Sequence, residues 1–241
     1  IDFPTVLQVS SNVGMVKAMA QVKRDRFWHW LRTMGIDETP DTDLPGAVAG
    51  ELKSRKDFTG QAIEPAVAAF GQGFSLTPLK LLQLHAMLAN GGRLVSPHIT
   101  RGLRSGDALA SAPGGSGLQL LDPGVTRTVM AWMESVVDNS SGLGMKIPGY
   151  RIGGKTGTAQ KAERGVYIPG ALITSFVGHL PIDDPRYVVL VVVDEPKGGN
   201  TFGSTVAAPV ARQIIDALLV LERIPPSHPK ELQKTVAKPR A

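Results

Sequence analysis

The chain has 241 residues, of which 42% are apolar and 5% aromatic. This length and apolar content allow a substantial core and suit one domain or most of one. Cysteine is absent, which excludes disulfides and thiolate metal sites. The 26 basic and 21 acidic residues give a formal net charge of +5, but the low aromatic content argues against a nucleic-acid interface built on base stacking. No run reaches the roughly 20 apolar residues of a membrane-spanning helix.

In chain order, the first predicted helices cover residues 13–21 and 25–34. The stretch 37–60 is rich in Asp, Pro, Gly and charge, and is expected to be mostly irregular. Thr77-Pro78 is a cap followed by proline at the first helical position, so a third helix is predicted to begin there. Its predicted apolar stripe consists of Leu79, Leu82, Ala86 and Ala89.

A fourth helix is predicted after Asp122-Pro123, because apolar residues recur there at helical spacing. Strands are predicted over 151–161, 173–180 and Tyr187–Asp194, and the short linkers between them favour antiparallel pairing. A last helix over 206–221 is expected to pack on the sheet through four residues at i, i+4 spacing: Val206, Val210, Ile214 and Leu218. The fold class is therefore α+β, an antiparallel sheet covered by helices on both faces. Residues 1–224 are assigned to this domain, and 225–241 to a basic, Pro-containing, disordered tail.

The run Gly153-Gly154-Lys155-Thr156-Gly157-Thr158 lies in a predicted strand. Successive side chains of a strand point to opposite faces, so Lys155 and Gly157 share one face and the two threonines the other. Gly157 is expected to leave a gap where a ligand approaches the backbone. A Lys-Thr-Gly strand is one element of the serine β-lactamase and penicillin-binding group, together with a Ser-x-x-Lys nucleophile and a Ser-x-Asn-type loop.

A second element of that group stands near the start of the chain, where Ser10 and Asn12 form a Ser-x-Asn sequence. With both motifs present, the chain resembles the transpeptidase domain of class B penicillin-binding proteins, most closely the division-type (septal) D,D-transpeptidases. The resemblance extends to about residue 223 through further stretches in the family's order, such as Thr77-Pro78-Leu79 and Asp194-Glu195-Pro196. It implies the fold of that family and of the serine β-lactamases.

One part of the family pattern has no match. The nucleophilic Ser-x-x-Lys should precede the Ser-x-Asn loop by several tens of residues, and the only Ser-x-x-Lys here is Ser227-His228-Pro229-Lys230 near the opposite end. Short patterns of this kind occur by chance, and Ser227 is not expected to be a nucleophile. The chain is therefore interpreted as the C-terminal part of a longer domain, incomplete at its N-terminus, whose nucleophile lies upstream.

The resemblance implies roles for individual residues. Ser10 and Lys155 would form a proton-relay network with the upstream lysine, and Asn12 would hold a peptide amide of the substrate. The hydroxyls of Thr156 and Thr158 would bind the terminal carboxylate, with Gly157 between them, and the Thr158 backbone N–H would be one oxyanion donor. Phe202 and Tyr167 are further candidates for the substrate groove, with plain core packing as the alternative for Phe202.

The predicted function is peptidoglycan cross-linking through an acyl-serine intermediate, inhibited by β-lactam antibiotics. The resemblance implies a bacterial inner-membrane protein with its catalytic domain in the periplasm. Its expected partners are stem peptides, the upstream segment and membrane proteins of the division machinery, without nucleic acid. No metal or organic cofactor is implied. Alternatives are a D,D-carboxypeptidase or β-lactam sensor of the same fold, or a non-catalytic binding module.

Overall fold

The computed structural model describes residues 1–105, 108–111, 117–163 and 166–231. The chain divides into two compact units: residues 1–10 together with the chain from Arg127 onward, and residues 11–126. The assignment of 1–224 to one domain and 225–241 to a tail stays a prediction, and residues 232–241 lie outside the described part. Within the described ranges, no helix has the length and apolar character needed to span a bilayer.

Eight helices are described: α1 (Phe3–Gln8), α2 (Asn12–Met19), α3 (Arg24–Thr33), α4 (Arg55–Gly60), α5 (Ile63–Ala68), α6 (Pro78–Ala89), α7 (Pro123–Asn139) and α8 (Ala207–Leu221). The described strands are β1 (Arg93–Leu94), β2 (Gly102–Ser105), β3 (Ala108–Ser111), β4 (Leu118–Gln119), β5 (Gly153–Glu163), β6 (Val166–Leu180) and β7 (Tyr187–Asp194). The five predicted helices and three predicted strands occur in the predicted order. Helices α1, α4 and α5 and the short strands β2–β4 were not predicted, and α4 ends the stretch 37–60 that was expected to be mostly irregular.

The first unit contains an antiparallel sheet in the order β5-β6-β7. β7 has the bounds that its apolar run predicted, whereas β6 begins seven residues earlier than expected. The pairing of β5 with β6 passes from Gln160–Leu172 to Ala162–Tyr167, so β6 contains an irregularity around Pro169 and Gly170. Proline donates no hydrogen bond and Gly170 has φ 76°, so these residues interrupt the ladder without ending the strand.

Helices cover both faces of this sheet, as predicted. A Cβ at Gly178 would lie 3.0 Å from Ile215 of α8 on one face, and a Cβ at Gly153 would lie 3.2 Å from the backbone of Glu134 in α7 on the other. Gly153 and Gly178 point to opposite faces because Gly153 pairs with His179, the neighbour of Gly178. The sheet, α7 and α8 thus enclose the core of the first unit, which includes the fully buried Phe176 and Leu180.

The face of α8 that packs on the sheet differs from the prediction. Val210 and Ile214 are 45% and 41% exposed, whereas the residues that enter the core are Ala207, Ala208, Ala211, Ile215 and Leu219. Of the predicted stripe, only Leu218 packs against the core, and it is partly buried. Small alanine side chains allow the helix to lie close to the sheet, and this close packing outweighs the burial of the larger aliphatic residues.

The second unit has its own core, formed by Leu31, Ile36, Phe58 and Ala68. In α6 the predicted cap is confirmed, because the Thr77 hydroxyl accepts a hydrogen bond from the Lys80 N–H at 3.1 Å. The predicted stripe of Leu79, Leu82, Ala86 and Ala89 is only half-buried, and the buried residues of the helix are Lys80, Gln83 and Met87.

Candidate active site

Ser10 and Lys155 are brought together in the first unit, although they lie far apart in the sequence. Ser10 follows α1 and has a left-handed backbone with φ 53°. Helix α1 is capped by Asp2, which accepts from the Thr5 N–H at 3.1 Å, and is anchored by the buried Val6. Lys155 lies in β5 opposite Val177, and its Nζ donates to Ser10 Oγ.

Lys155 is partly buried, and both oxygens that its ammonium contacts are uncharged. Its Nζ also donates to the Thr156 carbonyl at 3.1 Å. Burial lowers the pKa of Lys155 below its ordinary 10.5, because the ammonium loses solvation and the two oxygens that it contacts carry no formal charge. An ammonium is a donor only, so Ser10 Oγ accepts in this contact and its own hydroxyl hydrogen is left for another partner.

Thr158 contacts the segment that leads into α8. Its Oγ1 accepts a hydrogen bond from the Gly203 N–H at 3.2 Å. Thr156 and Thr158 lie on the same face of β5, as the alternation predicted, opposite Phe176 and Thr174 of β6. Both threonine side chains therefore point to the face that carries α8, while Lys155 points to the other face.

Gly157 lies beside one side chain of the neighbouring strand β6. It pairs with Ser175 of β6, and a Cβ at Gly157 would lie 2.5 Å from Ser175 Oγ. Gly203 also lies close to the backbone of Gly157, because a Cβ on Gly203 would lie 2.6 Å from the Gly157 carbonyl oxygen. Among the described residues, Ser175 is the one neighbour within 4 Å of the Cβ position of Gly157. A serine hydroxyl can rotate, so the approach of a ligand to the Gly157 backbone stays a prediction.

The two aromatic candidates occupy different places. Phe202 is 59% exposed, which rules out core packing, and it precedes Gly203, which contacts β5. Tyr167 is 45% exposed and pairs with Ala162. Ala162 is seven residues along β5 from Lys155, or roughly 20 Å at strand spacing. The structure therefore does not bring Tyr167 to Lys155.

Asn12 belongs to the second unit, where it is the first residue of α2 and is exposed. The preceding Ser11 caps this helix, since its Oγ accepts from the Gly14 N–H at 3.1 Å. The helix predicted over 13–21 is confirmed as α2, and the role of Asn12 in holding a substrate amide stays a prediction.

Ser227 has the surroundings of a structural residue. Its Oγ donates to Asp183 Oδ1 at 2.8 Å, and the nearby His228 N–H donates to the Gly149 carbonyl at 2.9 Å. The first contact joins the segment after α8 to the loop between β6 and β7, and the second joins it to the residues just before β5. These hydrogen bonds give Ser227 a structural role, and no catalytic role is needed to explain its position.

Sequence reasoning missed Gly203 and Ser175. Gly203 follows Phe202 in a glycine-containing loop and Ser175 lies inside a predicted strand, so neither carried a motif. Their importance depends on which backbones approach each other across the sheet, which becomes visible only in three dimensions.

Comparison with known proteins supports the family suggested by these motifs. Residues 1–216 match the family model described as the penicillin binding protein transpeptidase domain. The chain belongs to this family. It is 39% identical over 246 residues to the peptidoglycan D,D-transpeptidase FtsI homolog of Mesostigma viride, covering 95% of this chain and 41% of that protein. It is 34% identical to the stage V sporulation protein D of Bacillus subtilis, covering 87% and 33% of the two chains.

Solved structures agree with the fold. The transpeptidase domain of Burkholderia pseudomallei penicillin-binding protein 3 is 34% identical, with a TM-score of 0.78 and coverage of 94% of this chain and 66% of that one. Penicillin-binding protein 3 of Mycobacterium tuberculosis in complex with ampicillin gives a TM-score of 0.82 at 27% identity, over 93% and 52% of the two chains. The chain spans less than half the length of the algal and sporulation relatives that it matches.

Proposed function

We propose that the chain is the C-terminal part of a peptidoglycan D,D-transpeptidase domain, which cross-links stem peptides through an acyl-serine intermediate. The observation that carries this proposal is the hydrogen bond from Lys155 to Ser10. It joins the Lys-Thr-Gly strand to the Ser-x-Asn serine in a chain that belongs to the penicillin-binding transpeptidase family. Relatives named as peptidoglycan D,D-transpeptidases support the same reaction.

In the proposed reaction, an upstream serine attacks the carbonyl of the penultimate D-alanine and forms an ester as the peptide bond breaks. The departing amine must gain a proton, and the nucleophile must lose one. Ser10 suits a relay between these two events, because its oxygen accepts from Lys155 and its hydrogen is left for a second partner. An amine acceptor then attacks the ester, forms the cross-link and restores the serine.

The remaining residues serve the substrate in this proposal. Thr156 and Thr158 bind the terminal carboxylate, and the Thr158 N–H donates to the oxyanion beside Gly157. Asn12 holds a substrate amide through its carbonyl acceptor and amide donor. Phe202 forms an aromatic wall, consistent with its 59% exposure, whereas Tyr167 would contact only a more distant part of the peptide.

The proposed ligands, partners and location are inferred from the relatives. Their names place them in division and sporulation, and structures of a related protein contain ampicillin or aztreonam. We therefore propose stem peptides and β-lactams as ligands, division membrane proteins as partners, and an extracytoplasmic catalytic domain anchored in the bacterial inner membrane through a part outside this chain.

The proposal is tested by fluorescent-penicillin acylation of the protein that contains this chain with its upstream segment. Lys155→Ala should slow acylation by about 100-fold or more, because it removes a charge preorganised at the site. Thr158→Ala keeps the backbone donor and loses one hydrogen bond to a charged group, so the expected loss is smaller, about 10-fold to 100-fold. The exposed Lys146, which pairs with Asp138 at 3.3 Å, provides a Lys146→Ala control with unchanged acylation.

Two results would contradict this account. One is a covalent penicillin adduct on a serine of the 241-residue chain expressed alone, since the nucleophile is proposed to lie upstream. The other is equal acylation by the Lys155→Ala and Lys146→Ala proteins. The acylated protein can then be offered an amine acceptor as well as water. A product joined to the amine indicates transpeptidation, and a hydrolysed product indicates carboxypeptidation.

A further inference from the structure

Gly203 connects two elements of the first unit, β5 and α8, through its two backbone groups. Its N–H donates to Thr158 Oγ1 in β5 at 3.2 Å. Its carbonyl accepts from the N–H groups of Ala207 and Ala208 at 3.1 and 2.9 Å, which are the first two residues of α8. Gly203 therefore lies between the start of α8 and the strand that carries Lys155.

The approach of Gly203 to the sheet requires a residue without a side chain. A Cβ at this position would lie 2.5 Å from the carbonyl oxygen of Ser175 and 2.6 Å from that of Gly157. Both are backbone atoms inside the sheet, so they cannot move aside as the end of a flexible side chain could. Any larger residue would push the segment away from β5 and lengthen the bond to Thr158.

The bond fixes the direction in which Thr158 can donate. A hydroxyl has one hydrogen to donate and two lone pairs that accept. Because the Gly203 N–H supplies the hydrogen of this contact, Thr158 accepts in it and its own hydrogen is left for a ligand. A carboxylate is an acceptor only, so it is the ligand chemistry that this arrangement fits.

We propose that Gly203 is a positioning residue, whose N–H orients the Thr158 hydroxyl to donate to the carboxylate of the substrate or of a β-lactam. This proposal rests on the proposed function for its ligand, but not for the hydrogen bond itself. Gly203 acts through Thr158 and does not touch the reacting atoms. Its contribution is therefore specific for ligands that carry the carboxylate.

The first test uses the protein that contains this chain with its upstream segment. It compares acylation by benzylpenicillin with acylation by its methyl ester, which lacks the charged carboxylate. Gly203→Ala should reduce the preference for the acid over the ester by about tenfold, the loss expected when a hydrogen bond to a charged group is misaligned. Gly199→Ala is the matched control, because a Cβ at Gly199 has nothing within 4 Å, and it should keep the wild-type preference. In a Thr158→Val background, Gly203→Ala should change the preference no further. An equal loss of rate for both ligands, or an unchanged preference, would overturn the proposal.

A second test needs no ligand and no activity. Amide exchange at Gly203, followed by NMR on protein labelled with ¹⁵N-glycine, should accelerate about tenfold or more in Thr158→Val and stay slow in Thr158→Ser. Unchanged exchange in Thr158→Val would refute the hydrogen bond, and with it the proposal. If the wild-type protein is acylated by neither compound, the proposed function fails, while the exchange measurement still decides the positioning of Thr158 by Gly203.

Discussion

Two lysines of one strand show how strongly the surroundings of an amine control its pKa. Lys155 and Lys161 both lie in β5. Lys161 donates to Glu195 at 2.9 Å and to Asp194 at 3.2 Å, and these carboxylates raise its pKa above 10.5. Within the described part of the chain, Lys155 donates to a hydroxyl and a carbonyl, and burial lowers its pKa. The sequence motif identified Lys155 as the functional lysine, but the opposite shifts depend on neighbours that are distant in the sequence.

At this scale, we predict that Lys155 makes stability depend on alkaline pH. Its folded pKa lies below the unfolded value of 10.5, so the unfolded state binds more protons between these two values. The cost of burying the ammonium is therefore present below the folded pKa and disappears as the pH rises toward 10.5. The free energy of unfolding of the wild type should rise with pH relative to that of Lys155→Met, as measured by urea denaturation from pH 7 to 10.5. Parallel curves for the two proteins would contradict this, and the exposed Lys146→Met is the control.

At the scale of elements, α8 shows what the periodic pattern could and could not predict. The pattern gave the helix to within one residue of its observed bounds, since the apolar run and its length are local properties. It favoured the stripe through Val210 and Ile214 because branched apolar residues are usually buried. The observed face depends on how closely the helix approaches the sheet, and the alanines that permit this approach are not distinctive in the sequence.

Adjacent isoleucines of α8 test this assignment with the same substitution. Ile215 is fully buried and lies 3.0 Å from the Cβ position of Gly178, whereas Ile214 is 41% exposed. Ile215→Ala should lower the free energy of unfolding by about 2–5 kcal/mol, because it leaves a cavity in the core. Ile214→Ala should cost less than about 1 kcal/mol, as expected for a surface position. Chemical denaturation of both variants measures the difference, and the reverse order would restore the face predicted from the sequence.

The candidate site was predicted in part. The sequence motifs identified Ser10 and Lys155, and the structure places them in hydrogen-bond contact. The alternation of a strand also placed Thr156 and Thr158 on the face opposite Lys155. Gly203 could not be predicted, because its importance arises from the short distance between two backbone segments. The sequence does not show which segments lie that close together.

For the whole molecule, the two compact units are expected to differ in their response to acid. His85 lies in α6 of the second unit, and burial lowers its pKa from 6.5 to about 4. The unfolded state therefore binds more protons between pH 4 and 6.5, so stability contributed by neutral His85 is lost as the pH falls through this range. The loss is at most about 3 kcal/mol.

Tryptophan fluorescence can follow this loss in one unit. Trp28 and Trp30 belong to the second unit and Trp132 to the first, so a Trp132→Phe protein reports on the second unit alone. Denaturation between pH 7 and pH 4 should show a smaller decrease in stability when His85 is replaced by Gln. If His85→Gln has the same pH profile as the parent protein, another group is responsible for the acid sensitivity.

The contacts made by the residues after α8 determine where a recombinant form of this domain can end. The family match ends at residue 216, but α8 continues to Leu221, and both Leu219 and Ile224 are buried in the core. The Ile224 carbonyl also accepts from the Tyr150 hydroxyl at 3.2 Å, and the His228 N–H donates to the Gly149 carbonyl at 2.9 Å. A recombinant protein ending at 216 would lose these groups and expose apolar surface, which promotes aggregation. A recombinant protein that ends after Glu231 keeps these contacts with the residues just before β5, the strand that carries Lys155.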